Sequence, residues 1–416
     1  MTSTHKDYAL RQDQDDPLSG YRQKFLIPKV NGKDVIYFCG NSLGLQPKAA
    51  RKEIDKVLTN WENLAVDGHF HGDDPWSLYH KKFREPLSRI VGAKPEEIAV
   101  MNNLTVNLHL GITSFYRPTQ SRYKIIMEGH AFPSDQYAVE TQVKLHGFDP
   151  DDAIIEIQPR AGADLLETED IIRTIEDNAE SSALLLLGGL QYYTGQVFEM
   201  GKICEAARRC DVRIGLDLAH AVGNVPVSLH DWEADFAVWC SYKYMNSGPG
   251  AVSGMFIHEK HHQADLPRLA GWYGYDEGAR FMMEKGFKPI PNADGWRLSN
   301  SGIMNMAGYY ASVKMFDEVG MDTLRKKSIL LTNYLEELMG EFDFIKLITP
   351  SAPEHRGCQL SLYFERDGKK IFQYIQEHGV VADWREPNVI RIAPVPFYNS
   401  FMDVYQFYQI IKSYHG

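Results

Sequence analysis

Between residues 97 and 257 short apolar runs alternate with longer amphipathic stretches, and no other feature constrains the fold as strongly. Runs with strand character lie at 97–101, 123–127, 153–157, 184–187 and 252–257, and two more open the segments 213–220 and 236–244. Helical patterns fill 106–115, 135–145, 166–179 and 200–210. Strands that alternate with helices run mostly parallel, because each helix carries the chain back across a face of the sheet. The fold class read from this is α/β, with a large domain over 51–302 built on a mainly parallel seven-stranded sheet. A helical stretch at 303–342 follows, then strands near 344–348 and 358–364, a helix near 369–378, strands near 380–393 and a last helix at 401–414. These predict a smaller C-terminal α/β domain over 303–416. Residues 1–50 read as an N-terminal arm that packs with the small domain, punctuated by Pro17, Gly20, Pro28 and Gly32.

At 416 residues, 44% hydrophobic and 24% charged, the chain can bury a core of that size. A net charge of −11 without a long lysine or arginine block argues against a nucleic-acid partner. The polar start at Met1-Thr2-Ser3-Thr4 has no apolar core of a secretory signal, and runs such as 183–187 are too short to span a membrane. Cys39, Cys204, Cys210, Cys240 and Cys358 are odd in number and include no Cys-x-x-Cys pair. That fits reduced thiols and a cytoplasmic location.

Chemistry in an α/β sheet collects at strand ends. Arg213-Ile214-Gly215-Leu216-Asp217 ends on an acid, and Phe236 to Cys240 leads into Ser241-Tyr242-Lys243. An acid at one strand end and a lysine just past the next suit pyridoxal 5′-phosphate. Lys243 would form the Schiff base, and Asp217 would keep the pyridine nitrogen protonated. Two further strand ends complete the set. Asn102-Asn103-Leu104-Thr105 offers a hydroxyl and free N–H groups at a helix start, a cradle for phosphate. Phe132-Pro133-Ser134-Asp135 offers an aromatic face for the ring and, in Ser134 or Asp135, a helix cap. Each piece alone is ordinary; their order, each at a strand end, is the signal.

With these residues in view, the chain resembles the kynureninase family, within class V of the fold-type I pyridoxal phosphate enzymes. The resemblance rests on Gly40-Asn41-Ser42-Leu43-Gly44, Asn103-Leu104-Thr105-Val106-Asn107, Phe132-Pro133-Ser134-Asp135, Tyr193-Thr194-Gly195-Gln196 and Asp217-Leu218-Ala219-His220. It continues through Ser241-Tyr242-Lys243-Tyr244, Gly271-Trp272-Tyr273-Gly274, Ser299-Asn300 and Arg391-Ile392-Ala393-Pro394. It implies hydrolytic Cβ–Cγ cleavage of L-kynurenine or 3-hydroxy-L-kynurenine to an anthranilate and L-alanine, in tryptophan degradation or NAD biosynthesis. It also implies a homodimer with its sites at the subunit interface. Carried over by position, Lys243 and Asp217 keep the roles above, and Tyr242 is the candidate acid/base of the later proton transfers. Leu104, Thr105, Tyr242 and Trp272 would hold the phosphate end, Trp272 from the neighbouring chain. Phe132 would stack, and Pro133, Ser134, Asp135, Gly188, His220 and Asn300 would complete the cofactor set. Ser42, His69 and Asn300 would face the substrate, and Arg391 would grip its α-carboxylate through a planar fork. Tyr275 stands where several relatives have histidine, which leaves the preference between the two substrates open.

Three other readings compete. His258-Glu259-Lys260-His261-His262 matches a zinc-protease pattern, but it follows a strand-like run instead of lying on a helix, so a charged turn is expected and no metal. His69 and His71, near Asp73 and Asp74, read as a solvated loop. A cysteine desulfurase needs a nucleophile on a mobile loop, whereas Cys358 opens the alternating run Cys358-Gln359-Leu360-Ser361-Leu362. A binding protein without turnover is the non-enzymatic alternative, and the retained Lys243 argues against it.

Overall fold

The computed structural model describes residues 4–415. Its centre is a seven-stranded sheet of β1 (Ile98–Met101), β2 (Lys124–Glu128), β3 (Ile154–Ile157), β4 (Ser182–Gly188), β5 (Arg213–Asp217), β6 (Phe236–Trp239) and β7 (Ser253–Ile257). The order across the sheet is β1-β7-β6-β5-β4-β2-β3. Six strands are parallel, and β7 runs antiparallel to both its neighbours. β7 follows β6 without a crossover helix, so the chain turns back directly and wedges β7 beside β1.

Both faces of the sheet are buried, as a parallel sheet requires. Leu185, Leu187, Ile214, Leu216, Ala237 and Trp239 enter one core, while Leu184, Leu186, Val238, Met255, Ile125 and Met127 enter the other. Each such leucine or isoleucine contributes about 2 kcal/mol. That two-sided demand explains why these strands read as unbroken apolar runs.

The C-terminal region carries an antiparallel sheet of β8 (Ile345–Leu347), β9 (Leu360–Phe364), β10 (Asp383–Arg385) and β11 (Val389–Ile392), in the order β8-β9-β11-β10. The predicted helical stretch at 303–342 is two helices, Ile303–Val319 and Met321–Met339, parted at Gly320. Gly320 has φ 77°, a conformation that ends one helix and redirects the chain into the next. The arm's helix His5–Asp15 brings Ala9 against Leu331, Leu335 and Phe401. Asp13 accepts the backbone N–H groups of Phe401 (2.7 Å) and Met402 (3.0 Å), capping the last helix, Phe401–Lys412. Ile36–Tyr37 pairs in parallel with Val380–Val381. This pairing holds the turn with Asn41 and Ser42 between the two sheets.

Candidate active site

One cleft lies at the carboxyl ends of the parallel strands, where Asp217 is level with Gly188 in the ladder. Its lining includes Ser42, Leu104, Thr105, Phe132, Ser134, Asp135, Gly188, Asp217, His220, Tyr242, Lys243 and Arg391. Five strand ends, a turn of the arm and one strand of the C-terminal sheet, which carries Arg391, therefore bring twelve of the anticipated residues to one place. Lys243 Nζ lies 2.9 Å from His220 Nε2 and 5.7 Å from the centre of the Phe132 ring. Phe132 is 42% exposed, so its face is open to the cleft.

Helix starts build the far end. Asn103 is the N-cap of the helix Leu104–Phe115 and accepts the Val106 N–H at 3.2 Å. The Thr105 hydroxyl is thus not needed for capping; it meets the Ser134 hydroxyl at 2.9 Å. Neither Ser134 nor Asp135 caps its helix: Phe132 is the N-cap residue and Pro133 opens the helix, as proline suits a first position. Two helix N-termini and two hydroxyls make an anion cradle.

Three buried carboxyl groups lie under the cleft. Asp217 accepts the Ala219 N–H at 2.7 Å, and Glu128 accepts the Gly188 N–H at 3.0 Å. Burial, then the charge of Asp217, pushes Asp135 well above the usual carboxyl range. Burial raises Asp217 as well, against the Ala219 N–H and Lys243. Asp135 therefore keeps the proton and Asp217 the charge. Burial, opposed by the Gly188 N–H and helped by Asp217, pushes Glu128 up to about 7. His220 is held neutral, far below its ordinary value, by burial and by Lys243, Arg391 and Arg385. Burial and Cys240 keep the Tyr242 phenol protonated.

Arg391, on β11, is 1% exposed. It donates to the Tyr192 carbonyl at 2.7 Å and to Asp383, while its Nε has no partner. Glu128, Arg385, Asn41, Leu190, Tyr192, Ala219 and Cys240 line the cleft as well and were not anticipated. Glu128 could have been suspected as a charge closing the apolar run Lys124–Glu128.

Pro133, His69, Trp272 and Asn300 are outside this lining. His69 packs edge-on to Trp76 at 5.3 Å, and Trp272 is 43% exposed with its Nε1 donating to the Arg280 carbonyl at 3.2 Å. The Oδ1 of Asn300 is buried without a partner. Cys358 is fully packed, donates to Asn224 Oδ1 at 2.8 Å, and is pushed up to about 12 by burial. Such a thiol is no mobile nucleophile.

A lysine-centred cleft on this sheet defines the class: an α/β chain of fold-type I. Solved structures agree at the level of fold. A cysteine desulfurase from Thermococcus onnurineus superposes with TM-score 0.78 at 17% identity, covering 95% of this chain and 97% of that one. A C-DES mutant with glycine covalently linked to its PLP cofactor also gives 0.78 at 17% identity, covering 92% and 97%. The kynureninase C-terminal domain model matches residues 324–411. The kynureninase of Flavobacterium psychrophilum is 53% identical over 412 residues, covering 98% of this chain and 97% of the relative. That of Xanthomonas campestris pv. campestris is 48% identical over 414 residues, covering 98% of each. The chain belongs to the kynureninase family.

Proposed function

We propose that this chain is a pyridoxal 5′-phosphate-dependent hydrolase that cleaves the Cβ–Cγ bond of L-kynurenine, or of its 3-hydroxy form, to an anthranilate and L-alanine. Family membership supplies the substrate class. The observation that carries the chemistry is Lys243 paired with a neutral His220 in a cleft that also holds Asp217 and a buried arginine.

The residues present fit the cofactor. Thr105, Ser134 and Leu104 at two helix starts would hold its phosphate, with Tyr242 beside them. Phe132 would cover one ring face, Gly188 leaves room at the ring edge, and Asp217 would hold the proton at the ring nitrogen. His220 Nδ1, buried without a partner, is available to a polar group of the ligand. When bound, the cofactor supplies an aldehyde that takes up the substrate amine and a ring that accepts its electrons. Lys243 Nζ removes and returns the α-proton, and His220 orients it through their hydrogen bond. Asp135, protonated, hydrogen-bonds Asp217 and keeps that charge in place. Tyr242, held as the phenol, donates the proton needed after the carbon–carbon bond breaks. Arg391 binds the α-carboxylate, while Asp383 and the Tyr192 carbonyl fix its fork. Ser42 faces the substrate from the arm's turn.

The working unit in this proposal is a homodimer. Phe70, Trp272, Phe281, Met282 and Met283 are all more than 40% exposed. Phe281 packs against both Phe70 (6.0 Å) and Trp272 (5.3 Å), a joined apolar surface that a partner would cover. Trp272, His69 and Asn300 would act in the neighbouring subunit's cleft. The domain division and a cytoplasmic location, in keeping with five free cysteines, belong to the same proposal.

Incubating cofactor-saturated protein with kynurenine or 3-hydroxykynurenine tests it. Fluorescent anthranilate product and alanine in equal amounts are expected. Sulfide released from cysteine, with no anthranilate, would favour the desulfurase reading instead.

A further inference from the structure

The zinc-protease pattern at 258–262 does not form as such. Glu259 ion-pairs with Lys94 at 2.6 Å, and His262 Nε2 lies 3.0 Å from the Ile257 carbonyl. His258 meets other partners. Glu97, just before β1, is fully buried, and among the described residues its ion-pair partners are two histidines. His230 Nδ1, from the short helix Leu229–Trp232, lies 2.9 Å from Glu97 Oε1. His258 Nδ1, directly after β7, lies 3.8 Å from the same oxygen. The backbone N–H groups of Lys94 (2.8 Å) and Glu259 (2.9 Å) fix the carboxylate.

We propose that Glu97, His230 and His258 form a zinc-class divalent metal site at the sheet edge opposite the cofactor cleft. Three ligand atoms lie within 4.8 Å of one another. Bonds of about 2.0–2.1 Å in a tetrahedron place ligand atoms roughly 3.3 Å apart. The observed 2.9 and 3.8 Å to the carboxylate bracket that spacing, and the two imidazoles offer ligand atoms within 4.8 Å of each other, so side-chain adjustments of about an ångström would close the site around an ion. Two imidazoles and one carboxylate suit zinc better than calcium or magnesium, which prefer oxygen. His258 is 6% exposed and its Nε2 has no partner. The Lys260 N–H lies 3.2 Å from Nδ1, and metal binding would displace that long contact. The His230 side chain is 29% exposed, giving the ion an entry path and its fourth position a water.

The site joins the head of β1, the end of β7 and the helix between β5 and β6, so its role is structural. The full-length protein with cofactor bound, any affinity tag removed and treated with chelator, is titrated with Zn2+ by calorimetry while Tm is followed. One Zn2+ per chain and a rise in Tm are expected. His230→Ala should weaken binding by at least about tenfold and abolish the rise in Tm. His230→Gln serves as the second variant if the alanine form does not fold. No saturable one-per-chain binding by the unaltered protein, or undiminished binding in the His230 variants, overturns the site.

Discussion

Two side chains of the cleft carry separable consequences. Arg391→Lys keeps the charge but loses the two-pronged grip on a carboxylate, worth about 1.5–3 kcal/mol. KM should rise roughly 10- to 100-fold while the visible band of the bound cofactor stays, as steady-state kinetics and absorbance would register. Glu128 offers a test by pH. Its carboxyl is pushed from 4.5 up to about 7 in the fold. Between those values the folded chain holds a proton that the unfolded chain has released. Stability therefore falls as pH rises through that window, by up to about 3 kcal/mol. Glu128→Gln should flatten this loss when unfolding is compared on either side of the window; an unchanged slope would remove Glu128 as its source. At this scale the sequence was only partly informative. Lys243, Asp217 and Thr105 were legible because each ends a strand, closely follows one or starts a helix. Arg385 and Asn41 were not, because the second sheet and the arm bring them to the cleft, and no local pattern records that.

At the scale of elements, β6 and β7 position Lys243. Gly254 of β7 faces Trp239 of β6, and a Cβ there would collide with the indole ring. Trp239 is fully buried, so it has nowhere to go. Gly254→Ala should cost about 1–3 kcal/mol of stability, read from denaturant unfolding, and should loosen the cofactor because Ser241 to Lys243 follow directly. Most strands were legible within a residue or two, since burial on both faces forces continuous apolar runs. The reversed direction of β7 was not, because strand direction depends on the connection and leaves no trace in periodicity. The break at Gly320 also passed unnoticed, since both helices share one apolar pattern across it.

At the scale of the whole molecule, the exposed surface around Trp272 and Phe281 sets the expectation of shared sites. Lys243→Ala and Trp272→Ala are each expected to be nearly inactive. Mixed after reversible dissociation, they should regain roughly a quarter of normal activity, because half the dimers pair one intact site with one doubly damaged site. No recovery, together with a monomer in light scattering, would refute the shared site. His69, Trp272 and Asn300 were named through resemblance alone; within one chain they lie outside the cleft lining, and no local pattern points them to it. The claim on which all of this depends is that Lys243 is the amine joined to the cofactor aldehyde. Borohydride reduction of the cofactor-loaded protein followed by peptide mass mapping tests it most directly. The pyridoxyl label is expected on the peptide containing Lys243 and nowhere in Lys243→Ala; a label on another lysine, or none, would contradict it.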